Sequence, residues 1–390
     1  MRICHVIGSI DPANGGPSTV IGRIASAQAG LGLDVHLLGA CSAAREAVSR
    51  EALAQVPGIE RVTLHLMTDP PSRMRRLLAS HFGPAFDAVP EPDIAHLHGV
   101  WDSPLLRVSA RCRARKIPYL IRPAGMLDFW SLKQKALKKK VSMALFHRRM
   151  LRGASVIHAL NPHERDAVSA LRLWTRIEII PNGVFMSDIE RVTEEGLFRG
   201  KFPALGESPF VLFLSRLHFK KGLDILADAW TRVAREHPGA KLVVAGPRED
   251  DSIDAFDRVI GDAGLTGTVV QTGPVYGADK AAAYRECACF VLPSRQEGFS
   301  LAITEALGFG AAAVVTRDCH FPEITEVGAG IETALDAGEV ASAVSRMLVD
   351  PAFRTSCGAA GAALVRERFT WPAVARRTLE VYRSMASGAR

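Results

Sequence analysis

Short apolar runs recur along the chain, each followed by a turn and then by a stretch of helical spacing. In the first half these runs cover residues 2–7, 34–39, 61–66, 94–97, 118–121, 155–159 and 177–180. In the second half they cover 210–214, 240–245, 268–271, 288–292 and 312–315. Amphipathic stretches lie between them, for instance 17–30, 222–236, 278–286 and 300–309. A run that is apolar throughout, rather than alternating, describes a strand buried on both faces. Such strands interleaved with helices predict parallel sheets covered by helices. The rhythm breaks across 184–208, which is polar and carries Gly196, Gly200, Pro203 and Gly206; Pro209-Phe210 then restarts a strand. The expected fold class is therefore α/β, with two doubly wound, Rossmann-like domains at 1–188 and 189–371 facing each other across a cleft. A final helical run follows Phe369-Thr370-Trp371-Pro372, at about 372–390. In sheets of this kind ligands sit beyond the carboxyl ends of the strands.

The chain has 390 residues, 48% hydrophobic and 23% charged, which fits two globular domains and excludes disorder. No apolar run reaches the 18 or so residues of a membrane-spanning helix. The run at Met1–Gly8 is too short for a secretory leader. Seven scattered cysteines, with no second Cys/His pair at ligand spacing, argue against zinc and for reduced thiols in a cytoplasmic protein. The net charge of +7 is unevenly placed. Residues 1–188 hold 25 Lys/Arg against 15 Asp/Glu, and residues 107–152 hold 14 basic residues and one acid, Asp128. That concentration predicts an anionic partner or surface.

Four segments at strand ends carry candidate chemistry. Glu297-Gly298-Phe299-Ser300-Leu301-Ala302-Ile303-Thr304-Glu305 places one carboxylate in a loop and another inside the helix that follows. The start of that helix offers free N–H groups and the positive dipole end to an anion; alternatively both carboxylates are ordinary helix-start charges. Ser215-Arg216-Leu217-His218-Phe219-Lys220-Lys221-Gly222 puts Arg216 and Lys221 beyond the strand 210–214, suited to a diphosphate, or simply a basic helix start. Asp11–Ser18, with Gly15 and Gly16, allows close approach of a phosphate or sugar, but lacks the G-x-G-x-x-G spacing of a nicotinamide site. His96-Leu97-His98-Gly99-Val100-Trp101 ends a strand with His98, expected at the cleft, whereas His96 is expected on the opposite face. Arg122 and Trp101 are candidates for the acceptor side.

Neither an Asp-x-Asp triplet, a phosphate-binding G-x-x-x-x-G-K-[ST] loop nor a G-x-S-x-G elbow occurs. Glu249-Asp250-Asp251 reads as a solvated loop. Residues 131–151 are basic and amphipathic, with Leu132, Leu137, Met143 and Phe146 as expected anchors in an anionic membrane surface. The alternative is a solvated helix covering the sheet.

In order and spacing these segments, together with Ile180-Pro181-Asn182-Gly183-Val184, resemble the retaining glycosyltransferases of family 4, which have the GT-B fold. The resemblance spans nearly the whole chain. It implies a UDP- or GDP-sugar donor held by the second domain, with Arg216 and Lys221 at the diphosphate and the main chain of Gly298, Phe299, Ser300 and Leu301 at the phosphates and sugar. Glu297 would hold the sugar and Glu305 the ribose, with Val275 and Tyr276 bordering the base. Gly15, Gly16 and His98 would close the site, and the last helix would cross back onto the first domain. No metal and no other cofactor are implied. The acceptor would be a saccharide, lipid-linked at the inner face of the cell membrane, in polysaccharide or lipopolysaccharide synthesis. One departure from the family pattern is Cys319-His320-Phe321-Pro322-Glu323, where a glycine-rich approach to Pro-Glu is usual. The competing readings are a nucleotide-sugar 2-epimerase of the same fold and a non-enzymatic basic protein bound to membrane surfaces. Nothing in the pattern suggests a nucleic-acid partner.

Overall fold

The computed structural model describes residues 1–70, 74, 79–191 and 193–387. Val192, in the expected linker, and residues 388–390 of the expected last helix lie outside the described residues. The chain divides into two compact units, Met1–Asn182 with Trp371–Arg390, and Gly183–Thr370.

Unit 1 is built on seven strands: β1 (Arg2–Ile7), β2 (Asp34–Cys41), β3 (Thr63–Thr68), β4 (Ile94–His98), β5 (Tyr119–Arg122), β6 (Val156–Ala159) and β7 (Arg176–Ile179). Their order is β3-β2-β1-β4-β5-β6-β7, and every pairing is parallel. Unit 2 holds six: β8 (Phe210–Leu214), β9 (Lys241–Ala245), β10 (Val269–Gly273), β11 (Cys289–Leu292), β12 (Ala313–Thr316) and β13 (Gly330–Thr333). Their order is β10-β9-β8-β11-β12-β13, again all parallel. In both sheets the order reverses beside the first strand, which opens a crevice at the strands' carboxyl ends. The central strands β1, β4, β8 and β11 are buried along almost their whole length, as helices cover both their faces; β8 and β11 are apolar throughout, whereas β1 and β4 carry His5, His96 and His98.

Two elements depart from the expected pattern. The run expected at 61–66 is shifted: Arg61 ends a 3-10 turn, Ile59–Arg61, and the strand β3 spans Thr63–Thr68. β13 has no counterpart in the apolar runs, because an edge strand of four residues, Gly-Ile-Glu-Thr, buries only one side. The last helix, Trp371–Ser387, packs within unit 1. Tyr382 is fully buried there, and Arg377 pairs with Glu178 of β7 at 3.1 Å.

Candidate functional site

A buried polar cluster of unit 2 lies where the chain leaves β8 and β11. After β8 the backbone makes a 3-10 turn, Phe219–Lys221, and reverses at Gly222 with φ of +70°. A Cβ on Gly222 would stand 1.9 Å from the Pro293 carbonyl oxygen, so only glycine lets the two loops touch. Arg295 fastens them further. Its backbone N–H donates to Lys220 O at 2.7 Å, and its guanidinium grips both oxygens of Asp224 at 2.6 and 2.5 Å. This brings together Lys221 and Glu297, 76 residues apart in sequence. Lys221 Nζ lies 2.6 Å from Glu297 Oε1, and Ser294 donates its hydroxyl to the same oxygen at 2.7 Å. Both charged side chains are about nine-tenths buried. A pair so desolvated holds only while complete: removing one partner leaves a buried charge at a cost of about 3–5 kcal/mol.

The expected cation pair is thus divided. Lys221 is engaged by Glu297, whereas Arg216 is exposed and held by Glu249, at 2.7 and 2.8 Å to its two oxygens. Glu249 was expected to be merely solvated, and its neighbour Asp250 caps Phe219 N at 2.9 Å. Glu305 sits in the helix Leu301–Gly308, with Lys280 Nζ 2.8 Å from one oxygen and the Tyr284 hydroxyl 3.3 Å from the other. Burial, with the Glu305 charge beside it, holds the Tyr284 phenol well above its ordinary pKa. Ser300 caps that helix through a bond from Ile303 N, which leaves the earlier N–H groups at Leu301 and Ala302 pointing out of the helix end. Phe299 packs against Phe321 and Phe369 with ring centroids 5.6 and 5.8 Å away. Val275 is buried and Tyr276 exposed at the start of the helix Gly277–Glu286.

The segment that departs from the family pattern supports the cluster from behind. Glu297 N donates to Asp318 O at 3.1 Å, and the Cys319 thiol donates to Leu292 O at 3.4 Å. Burial and the nearby Glu297 carboxylate push that thiol up to about 12, so it stays protonated. His320 takes the left-handed conformation, φ +52°, where glycine would be usual.

In unit 1 the strand ends carry a different arrangement. His96 and His98 share one face of β4, as residues two apart on a strand must, and their rings stack at 4.2 Å. The expected opposite facing of His96 is therefore corrected. His98 is wholly buried, and its Nε2 meets Nδ1 of His5 on β1 at 2.9 Å. His5 Nε2 reaches Gln28 Oε1 at 2.8 Å, and Gln28 Nε2 reaches the Tyr382 hydroxyl at 3.2 Å. The same hydroxyl lies 2.8 Å from His96 Nδ1. His96 Nε2 lies 3.3 Å from His158 Nδ1, and His158 Nε2 lies 2.7 Å from Ile180 O. Desolvation is the main cause that keeps these imidazoles neutral: it pulls His5 down to about 4 and His158 to about 3, and lowers His96 and His98 well below the usual range.

Arg122, the register partner of His98 on β5, is also fully buried. Its Nη2 donates to Asn182 Oδ1 at 2.5 Å, while among the described residues Nη1 has no hydrogen-bond partner; nor has His98 Nδ1. Burial draws Arg122 down to about 10, so it remains a cation, and the Glu164 carboxylate opposes that shift. Glu164 itself accepts from Gly125 N and Leu160 N at 2.5 and 2.8 Å. Gly15 and Gly16 are exposed, with open space where a Cβ would stand. Trp101 lines a concavity of about 660 Å³ with Ser9, Asn14, Asp69, His81 and Asp102.

His5, Gln28, His158 and Tyr382, like Ser294, Glu249 and Lys280, were missed in the sequence because nothing in local spacing links them. The one available signal was a histidine inside an apolar strand, at His5 and His158.

The basic segment folds as Phe129–Lys133, Ala136–Ser142, a π-helical turn Met143–His147, and Arg148–Arg152. Two expected anchors, Leu132 and Met143, are instead packed against the core. The exposed apolar side chains are Phe129, Trp130, Leu137, Val141, Leu145 and Phe146. Among the described residues no helix is long and apolar enough to cross a membrane.

Comparison with known proteins places this architecture. Residues 208–350 match the family described as Glycosyl transferases group 1, and residues 15–183 match Glycosyl transferase 4-like domain. An uncharacterized glycosyltransferase of Methanocaldococcus jannaschii is 29% identical over 53% of this chain and 54% of its own length. A GDP-mannose-dependent alpha-(1-6)-phosphatidylinositol monomannoside mannosyltransferase of Mycobacterium tuberculosis is 26% identical over 80% of this chain and 78% of its own. The first two curated relatives are matched over only about half their length. Among solved structures, HepE of Anabaena in complex with UDP superposes with a TM-score of 0.77 at 19% identity, covering 98% of this chain and all of that one. With both halves matched in order, and with two parallel-sheet domains of the GT-B type, the chain belongs to the family 4 (group 1) glycosyltransferases.

Proposed function

We propose that this protein is a retaining glycosyltransferase that moves a sugar from a UDP- or GDP-sugar to a lipid-linked saccharide, without a metal ion. The observation that carries the reading is the buried Lys221–Glu297–Ser294 cluster at the carboxyl ends of β8 and β11. In this reading Glu297 orients hydroxyls of the donor sugar. Lys221 and Arg216 take up the negative charge that grows on the departing diphosphate. The N–H groups at Leu301 and Ala302 add the dipole of a helix start to that charge. Glu305 binds the ribose, with Val275 and Tyr276 beside the base. On unit 1, Gly15, Gly16 and His98 serve the donor sugar, and Trp101 and Arg122 the acceptor. The relative named as GDP-mannose-dependent and the structural neighbour bound to UDP support a nucleotide donor. A panel of UDP- and GDP-sugars, scored by release of nucleoside diphosphate, tests the reading. Release from none of them, or unchanged release in Glu297→Ala, overturns it.

The exposed Leu137, Val141, Leu145 and Phe146, set among Lys133, Lys135, Lys138 and Lys140, support docking of residues 131–151 on an anionic leaflet, inside the cell. Each cation near such a surface contributes about 1 kcal/mol. Sedimentation with phosphatidylserine vesicles should be strong at low salt and weak at high salt; equal binding to neutral vesicles rejects the docking.

A further inference from the structure

We propose that a directional hydrogen-bond chain, running from the Ile180 carbonyl through His158, His96, Tyr382, Gln28 and His5, fixes His98 in one tautomer. Its Nε2 carries the proton, and its Nδ1 offers a lone pair, beside an Arg122 N–H, to one neutral hydroxyl group.

The direction follows from what each atom is able to do. A peptide carbonyl only accepts, so His158 Nε2, 2.7 Å from Ile180 O, must carry the proton. A neutral imidazole has one such proton, which makes His158 Nδ1 an acceptor. His96 Nε2 therefore donates to it, and His96 Nδ1 in turn accepts from the Tyr382 hydroxyl. With its proton committed, that hydroxyl accepts from Gln28 Nε2. The amide is thereby oriented, and its Oε1 faces His5 Nε2, which must donate. His5 Nδ1 accepts, so His98 Nε2 donates. The single proton of His98 is then used, and Nδ1 is bare. Running the chain the other way would set two lone pairs against each other at Ile180, 2.7 Å apart. The carbonyl at one end thus decides the state of a ring six links away. All four rings are wholly buried beside the Arg122 cation, which keeps them neutral and each limited to one proton.

The two unpartnered atoms, His98 Nδ1 and Arg122 Nη1, belong to register partners on adjacent strands. One accepts and the other donates. A hydroxyl satisfies both at once, since it accepts from the guanidinium and donates to the imidazole. A carboxylate, which carries no proton at physiological pH, would meet the imidazole lone pair with another. In this arrangement His98 and Arg122 would touch the same hydroxyl, which moves Arg122 from the acceptor to the donor sugar; His5, Gln28, Tyr382, His96 and His158 are positioning residues. The chain's direction stands by itself, and only the assignment of the hydroxyl to a sugar rests on the transferase reading.

Two-bond 1H–15N correlation spectra of the full-length protein labelled at histidine test the proposal, with His98 assigned by the signal lost in His98→Gln. The expected result is a pyrrole-type Nε2 and a pyridine-type Nδ1 on His98. Tyr382→Phe cuts the chain, and His98 should shift toward a mixture of tautomers; if that variant does not fold, Gln28→Met cuts the next link. A proton on Nδ1 in the wild type overturns the proposal, as does an unchanged His98 spectrum in a folded cut variant. Acetate should leave the Nδ1 signal in place, and a displacement by acetate overturns the hydroxyl assignment. UDP-glucose or GDP-mannose should move Nδ1 without protonating it. If a donor is turned over while Nδ1 stays still, the sugar assignment falls and the chain remains; if no donor is turned over, the transferase reading falls and the tautomer result remains.

Discussion

The two units bury polar groups at the same place, the carboxyl ends of their central strands, and solve the problem in opposite ways. Unit 2 buries charge and cancels it in pairs: Lys221 with Glu297, Lys280 with Glu305, and at the surface Arg216 with Glu249. Unit 1 buries mostly neutral rings and passes hydrogen bonds from one to the next. A pair of charges can be exchanged for those of an incoming anion. A chain of neutral donors and acceptors cannot take up charge cheaply, but it can hold one atom in a defined state. The contrast fits the proposed reading, in which one half would handle a diphosphate and the other hydroxyls.

The largest expected effect comes from breaking a pair. Glu297→Ala should abolish turnover and lower stability by about 3–5 kcal/mol, because Lys221 is left buried and alone. The double variant Lys221→Met with Glu297→Met should regain most of that stability in a denaturant titration and none of the turnover. Regained turnover would mean that the pair is only structural.

The neutral chain is broken by acid. His5 and His158 have folded-state pKa values near 4 and 3, below the ordinary value of 6.5. Above pH 6.5 both folded and unfolded forms are neutral there, and the cluster adds no pH dependence. As pH falls from 6.5 toward 4, the unfolded chain binds protons that the folded chain refuses, so stability drops. Melting temperatures measured across that window should fall, and Tyr382→Phe should begin from a lower value.

A smaller change sharpens the role of the exposed pair. Glu249→Gln frees Arg216 from an internal carboxylate. It should tighten binding of UDP or GDP about 3–10-fold, equivalent to about 1 kcal/mol, as expected of a solvent-facing ion pair. Calorimetry would read the difference, and weaker binding would show that Glu249 serves the ligand directly. Smallest of all, Leu145→Ser, on an exposed side chain, should leave stability within about 0.5 kcal/mol while weakening sedimentation with anionic vesicles.

Much of the fold was legible because strands such as β8, Phe210–Leu214, and β11, Cys289–Leu292, are apolar and buried, and a proline, Pro209 or Pro293, adjoins each. β13 was not, since Glu332 and Thr333 give an edge strand no continuous apolar run. The candidate site's geometry was legible where polar residues sit next to a strand end, as at Lys221, Glu297 and Glu305. It was illegible where the arrangement depends on a partner far along the chain. Ser294, three residues from Glu297, looked like turn material, and Glu249 looked like solvated charge. Gln28 and Tyr382 lie 354 residues apart and meet only because the last helix returns.

That return has a consequence for synthesis. Unit 2 ends at Thr370, so its last residue is joined to the chain before unit 1 receives Trp371–Ser387. Domains generally fold as they emerge, N-terminal first; here the N-terminal sheet must wait, with Gln28 and His96 lacking their shared tyrosine, until the later domain has been made. Chains arrested in that interval would expose the groove meant for the final helix, and a chaperone that binds apolar grooves should find them there.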